Sequence, residues 1–297
     1  MSDSAAANRV ARAVGHSIVG TLLLIAASGQ ANAAAELRTV KGLTMPESAV
    51  VGADGRIYVS EIGEFGKDGD GKITAIGEGG KTQPFAQGMD DPKGLAVIKD
   101  TLYVADNKRI WKVDKQGQSS VFVKADAFPQ PPLFLNDLTA DASGNLYVSD
   151  TGDIEKGGKG AIFKITADGK VTLVTSEAQN PSIKSPNGLL AEDSGRLLVV
   201  DFSTGELLRL QVDKGSTEKL ADGFGGGDGI AKDASGMLYV SDWKGGKVRK
   251  LNLQNKGDKP EDYTQSFASA ADIELTSDGK FILVPDMKAG TLVWLPK

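Results

Sequence analysis

From Pro46 onward, short apolar runs separated by polar, Gly-bearing turns recur along the chain with little variation. A unit opens on a brief apolar run, such as Gly229-Ile230-Ala231, and passes through a turn rich in Asp, Ser and Gly. A second run, Leu238-Tyr239-Val240, follows that turn. A third segment alternates apolar and polar residues, as in Ala161-Ile162-Phe163-Lys164-Ile165, and a fourth, such as Val171-Thr172-Leu173-Val174, ends the unit. Alternation with period two over so few residues, bounded by turn formers, predicts short half-buried strands, four to a unit.

Six copies of the unit follow one another. They begin at Pro46, Pro92, Leu135, Pro186, Gly227 and Ala271, and their second runs end on Glu61, Asp106, Asp150, Asp201, Asp242 and Asp286. Those acids lie 45, 44, 51, 41 and 44 residues apart, the spacing of propeller blades. The last copy stops in its third run, at Leu292-Val293-Trp294-Leu295. Residues 37–43 resemble the fourth run of other copies and precede the first copy as a fourth run precedes the second. The pattern therefore predicts an all-β, six-bladed β-propeller over residues 36–297, its ring closed by an N-terminal strand that completes the last blade and removes the open edge.

Composition changes the picture in three ways. Gly contributes 37 of 297 residues, which suits a chain of many tight turns. The chain has no Cys, and its one His, His16, lies near the N-terminus. Arg9 and Arg12, an apolar run over residues 18–27 and Ala31-Asn32-Ala33 together read as an export signal over residues 1–35, cleaved near Ala33. Ten apolar residues fall short of the ~20 that span a bilayer, so the mature chain is expected to be periplasmic or secreted, with no membrane span. It would then carry neither Cys nor His. Thiol chemistry, Ser-His-Asp catalysis and ordinary zinc ligation are excluded. The net charge of −5 with no basic block argues against nucleic acid as a partner.

In a propeller, the first strand of each blade lines the central channel, so residues that break the repeat there are candidates for function. The six strand-ending acids recur in every copy and read first as turn formers. The axial position does vary, holding Glu47, Lys93, Asn136, Asn187, Asp228 and Ala271. Two carboxylates and two amides converge, an all-oxygen set that suits a hard cation: Ca²⁺ first, with Mg²⁺ or Mn²⁺ as alternatives. Lys67-Asp68-Gly69-Asp70 lacks the later acid of an EF-hand and reads as a polar hairpin.

The motifs Pro46-Glu47-Ser48, Leu135-Asn136-Asp137, Ser185-Pro186-Asn187-Gly188 and Gly227-Asp228-Gly229 resemble those of the senescence-marker-protein/gluconolactonase-like propellers, a family that includes calcium-dependent lactonases and a phosphotriesterase. The resemblance implies that Glu47, Asn136, Asn187 and Asp228 surround a catalytic divalent metal. Phe134 stands where several members have Arg, Leu138 where Gly often follows, and Lys93 aims a cation at the axis. The expectation is an exported metal-dependent hydrolase acting on a lactone or related ester. With no His, the base would be Asp228 or Asp137, and Lys93 would meet developing negative charge or an acidic substrate. Phe134, in a loop expected to overhang the channel, and Phe202 and Trp243, just past second strands, are candidates to wall a pocket for a small-molecule substrate. The competing expectation is a non-catalytic propeller, akin to NHL-type repeats, that presents its faces to a protein or glycan.

Overall fold

The computed structural model describes residues 37–297 apart from Ser194, Lys256 and Gln265; the candidate export signal lies outside the described residues. The chain forms six four-stranded antiparallel sheets, and so a six-bladed β-propeller. Blade 1 comprises Pro46–Val51, Ile57–Glu61, Gly71–Ile76 and Thr82–Met89, and blade 2 Pro92–Ile98, Thr101–Asp106, Arg109–Val113 and Ser119–Val123. Blade 3 is Leu135–Ala140, Leu146–Asp150, Ala161–Ile165 and Val171–Ser176; blade 4 is Pro186–Glu192, Arg196–Asp201, Leu207–Gln211 and Ser216–Ala221. Blade 5 is Gly227–Lys232, Met237–Asp242, Lys247–Asn252 and Glu261–Asp262. In blade 6, Glu274–Leu275, Phe281–Asp286 and Thr291–Pro296 are joined by Thr39–Lys41, which runs antiparallel to the third strand with Val40 opposite Leu292. Val40 and Leu43 are buried with Leu292 and Trp294 in the core between blades 6 and 1. Among the described residues, no helix is long and apolar enough to cross a membrane.

The core lies between blades. Each cluster of buried side chains joins two neighbouring sheets, as where Val148 and Phe163 of blade 3 pack with Ala105 and Ile110 of blade 2. The alternating positions of the second and third strands supply these contacts, which is why the Leu-Tyr-Val runs recur. First strands touch their neighbours all the way round, blade 6 to blade 1 included, and so enclose an axis.

Three repeated features hold the axial strands in place. In blades 1 to 5 the pairing of first and second strands shifts register just after the first residue, at Pro46, Pro92, Leu135, Pro186 and Gly227. That bulge takes an axial N–H out of the ladder, and in blades 1, 3 and 5 the Ser that precedes the strand-ending acid accepts it. Ser48 N donates to Ser60 Oγ at 2.9 Å, Asp137 N to Ser149 Oγ at 2.9 Å, and Gly229 N to Ser241 Oγ at 2.7 Å.

The strand-ending acids do more than form turns. Each is buried and accepts backbone N–H groups from the loop leading into its own blade's axial strand. Asp150 binds Leu133 N and Phe134 N, Asp201 binds Lys184 N and Ser185 N, and Asp286 binds Ala268 N and Ser269 N.

Glycine completes the set. A Cβ on Gly188 would stand 2.1 Å from the Asp228 carbonyl oxygen, and one on Gly229 would stand 2.4 Å from Ile273 N. Adjacent axial strands approach so closely there that only Gly fits.

Candidate functional site

Because the axial strands share one register, residues at equal positions form rings. The uppermost ring is Glu47, Lys93, Asn136, Asn187, Asp228 and Ala271; the next is Ser48, Gly94, Asp137, Gly188, Gly229 and Asp272. Glu47, Lys93, Asn136, Asn187 and Asp228 line a single cavity of about 610 Å³ at one end of the channel. All five are buried against the protein, at 2–6% exposure.

Four of those side chains each carry a buried oxygen with no hydrogen-bond partner: Glu47 Oε2, Asn136 Oδ1, Asn187 Oδ1 and Asp228 Oδ1. Buried polar atoms are nearly always paired, and each one left alone costs ~1–3 kcal/mol. Four at one place form a set of acceptors suited to a cation. The amide of Asn136 is oriented for that role. Its Nδ2 donates to Thr151 Oγ at 3.0 Å, and that hydroxyl donates to the Pro186 carbonyl at 3.0 Å, which leaves Oδ1 facing the cavity. A divalent cation fits the donors: two carboxylates and two amide oxygens offer hard ligands and two negative charges. Among the described residues, no three His, Cys, Asp or Glu side chains gather as a metal cluster; at the axis, amides stand where further acids would.

The electrostatics of the ring favour a positive charge among these groups. Burial pushes the Glu47 carboxyl well above its ordinary range, the nearby Asp228 and Asp272 carboxylates push it further, and Lys93 partly offsets them. Burial raises Asp228 likewise, then Asp272, against a hydrogen bond from the Asn187 side chain. A cation among these groups would reverse both effects. Lys93 is itself shifted downward by burial, against the pull of Asp91, Glu47 and Asp106. Its ammonium donates to the Asp91 carbonyl at 2.8 Å and to Asn107 Oδ1 at 3.3 Å, and lies 4.3 Å from the centre of the Phe134 ring.

Asp137, the other candidate base, follows Asn136 on the axial strand. It belongs to the second ring and is not among the residues lining the cavity. Its two oxygens accept from Leu138 N and Leu189 N, each at 2.6 Å, so the carboxylate ties blade 3 to blade 4. Burial and Asp272 raise its pKa. Asp272 sits three blades away in the same ring and ties blade 6 to blade 1, accepting from Ser48 Oγ at 2.6 Å; burial lifts its pKa to about 7.

Phe134, just before an axial strand, and Phe202 and Trp243, just past second strands, all line the cavity. Phe128, at the far end of the same overhanging loop, instead packs edge-on to Phe163 in the core.

Phe202 and Trp243 belong to a second wall, the rest of which passed unrecognised in the sequence. The residues that follow the six strand-ending acids are Ile62, Asn107, Thr151, Phe202, Trp243 and Met287. Five of them line the cavity, and Asn107 holds Lys93. In five blades this residue's N–H bonds the carbonyl just before the axial strand, as Ile62 to Met45, Thr151 to Phe134 and Phe202 to Ser185. Its signal was legible: one variable residue directly after each repeated acid.

The family described as SMP-30/Gluconolactonase/LRE-like region matches residues 97–267. No curated protein matches. Among solved structures, the chain is similar to a gluconolactonase from Xanthomonas campestris described as important in glucose secondary metabolic pathways. The two share 16% identity at a TM-score of 0.69, over 88% of this chain and 91% of that one. It is also similar to a calcium-binding protein, regucalcin, from Agrobacterium tumefaciens, with 19% identity and a TM-score of 0.68 over 85% and 90%. A chain of a nidogen/laminin complex shares 19% identity at a TM-score of 0.63, over 78% and 84%. At these identities the likeness establishes the fold.

Proposed function

The chain belongs to the SMP-30/gluconolactonase/LRE-like family, and on that premise we propose that it is an exported, divalent-cation-dependent hydrolase of a lactone or related ester, with Ca²⁺ its cation. The observation that carries this reading is the convergence of four unpartnered buried oxygens, from Glu47, Asn136, Asn187 and Asp228, on one cavity. Those four residues would hold the cation. When bound, it supplies Lewis-acid polarisation of the carbonyl and a lowered pKa for water.

The chain's own groups do the rest. Asp228, on the cavity wall, would take a proton from an attacking water. Lys93 spends two of its three N–H donors on Asp91 and Asn107; the third is available to an oxygen on which negative charge develops. Phe134, Phe202 and Trp243 reduce access of bulk water and so strengthen both effects. Asp137 and Asp272 position the axial strands and touch no substrate.

The test is hydrolysis of a panel of γ- and δ-lactones, dihydrocoumarin and aryl esters, followed by pH-stat. Chelator-treated protein should be inactive, added Ca²⁺ should restore turnover, and Asp228→Ala should abolish it. A calcium-loaded protein that cleaves none of the panel would instead support a non-catalytic binding propeller.

A further inference from the structure

The cavity above the four oxygens is divided in chemistry. One side is apolar and open: Phe65 and Ile154 line it at 51% and 52% exposure, and Phe65 packs against Phe134 with ring centres 6.1 Å apart. Large apolar side chains so exposed at the mouth of a cavity are best accounted for by a ligand that covers them. The other side is aromatic and cationic. Phe202 and Trp243 stand with ring centres 6.2 Å apart, and each carries an ammonium on its face: Lys244 is 4.2 Å from the Phe202 ring and Lys288 is 4.1 Å from that of Trp243.

Among the described residues, neither lysine has a carboxylate within 4 Å. Lys244 also donates to the Phe202 carbonyl at 3.3 Å. Ring faces hold an ammonium in place without neutralising it, so two positioned positive charges face the cavity. The acid on the rim, Asp153, is on the apolar side and paired with Lys159 at 3.3 Å. The remaining acids of the cavity, Glu47 and Asp228, belong to the proposed cation site below.

We propose that the ligand of this cavity is an amphiphilic anion: an aromatic or alicyclic body carrying a carboxylate or phosphate, the anion received by Lys244 and Lys288 and the body held between Phe202, Trp243, Phe65 and Phe134. A polyhydroxylated lactone fits poorly, because its hydroxyls would be desolvated against rings that offer them no partner. The inference rests on the proposed function in placing the scissile carbonyl beside Asp228, but the binding preference itself does not depend on turnover.

The test separates the two. The probes are 2-naphthoate and the isosteric neutral 2-naphthamide, titrated calorimetrically into chelator-treated full-length protein, so that a bound metal cannot account for carboxylate binding. Naphthoate should bind roughly tenfold or more tighter than the amide, with a preference that falls as salt rises. The double variant Lys244→Gln/Lys288→Gln should lose that preference while its affinity for the amide and its melting temperature stay as in the parent, since both lysines are exposed. Equal affinity for the two probes, or a preference that survives the double substitution, would overturn the proposal. If the preference holds and no lactone or ester is cleaved, this inference stands and the hydrolase reading falls. If neutral and anionic dihydrocoumarins are cleaved equally by the parent and the double variant, the hydrolase reading stands and this one falls.

Discussion

Replacing Asp242 with Ala tests the role assigned to the repeated acids. Asp242 ends the second strand of blade 5, is 3% exposed, and accepts two backbone N–H groups through Oδ1: Gly226 N at 2.8 Å and Gly245 N at 2.8 Å. The Gly226 bond is buried, so removing its acceptor leaves an orphan costing about 1–3 kcal/mol. The Gly245 bond is partly buried, and water can replace some of what is lost, at about 0.5–1.5 kcal/mol. Together the substitution should cost about 2–4 kcal/mol, well above what an exposed turn former contributes and a large share of the ~5–15 kcal/mol that holds a domain together.

There should also be a functional consequence. Gly226 lies two residues before Asp228, so the loop that loses its anchor presents a proposed ligand, and calcium affinity should fall with stability. Asp242→Asn keeps an oxygen acceptor and should cost about 1 kcal/mol or less. Urea unfolding followed by tryptophan fluorescence would give the stabilities, and calorimetry the affinities. An alanine variant within 0.5 kcal/mol of the parent, or as damaging in Asn form as in Ala form, would refute the anchoring role.

Two further outcomes are expected. A chain beginning at Met45 loses Thr39–Lys41 and the buried Val40 and Leu43; at about 1.5–3 kcal/mol per side chain it should be destabilised by about 3–6 kcal/mol, and equal thermal melts of truncated and parent chains would remove the closure role. Glu274, at the opposite opening of the channel, is raised from its model-compound 4.5 to about 7 by burial and then by Asp272, against a hydrogen bond from Leu275 N. The folded state therefore holds this proton more tightly than the unfolded one, and stability is lost as pH rises from about 4.5 to about 7. Glu274→Gln should match the parent below pH 4 and exceed it above pH 7; solvent reaches this half-buried group, so the gain should be about 1–2 kcal/mol. A pH-independent difference in urea midpoints would contradict the assignment.

The fold was legible because its information is repeated. Six Tyr-Val-Ser-Asp-like endings announce six blades, and the unfinished third run at Leu292–Leu295 points to a strand from elsewhere in the chain. The four oxygen-bearing residues were legible because Glu47, Asn136, Asn187 and Asp228 break the repeat at the one position where symmetry brings six side chains together.

What lay beyond the sequence came from the bulge. One-residue offsets in the axial strands of blades 1 to 5 help decide whether a side chain faces the cavity or the neighbouring blade. Asn136 faces the first and Asp137 the second, though they are adjacent. In blade 6 Asp272 likewise follows Ala271, though only Glu274–Leu275 forms a first strand there. The anchoring role of the acids was equally hidden, because their partners are main-chain N–H groups, which the sequence does not mark.

The central claim is that Glu47, Asn136, Asn187 and Asp228 together hold a divalent cation, and calcium titration of chelator-stripped protein tests it most directly. Calorimetry on the parent chain should show one saturable Ca²⁺ site, with a rise in melting temperature on binding. Asp228→Ala should show no heat of binding, while its metal-free form is as stable as the metal-free parent or more so, since repulsion with Glu47 is relieved. A parent chain that binds no divalent cation, or an Asp228→Ala variant that binds Ca²⁺ as the parent does, would contradict the account.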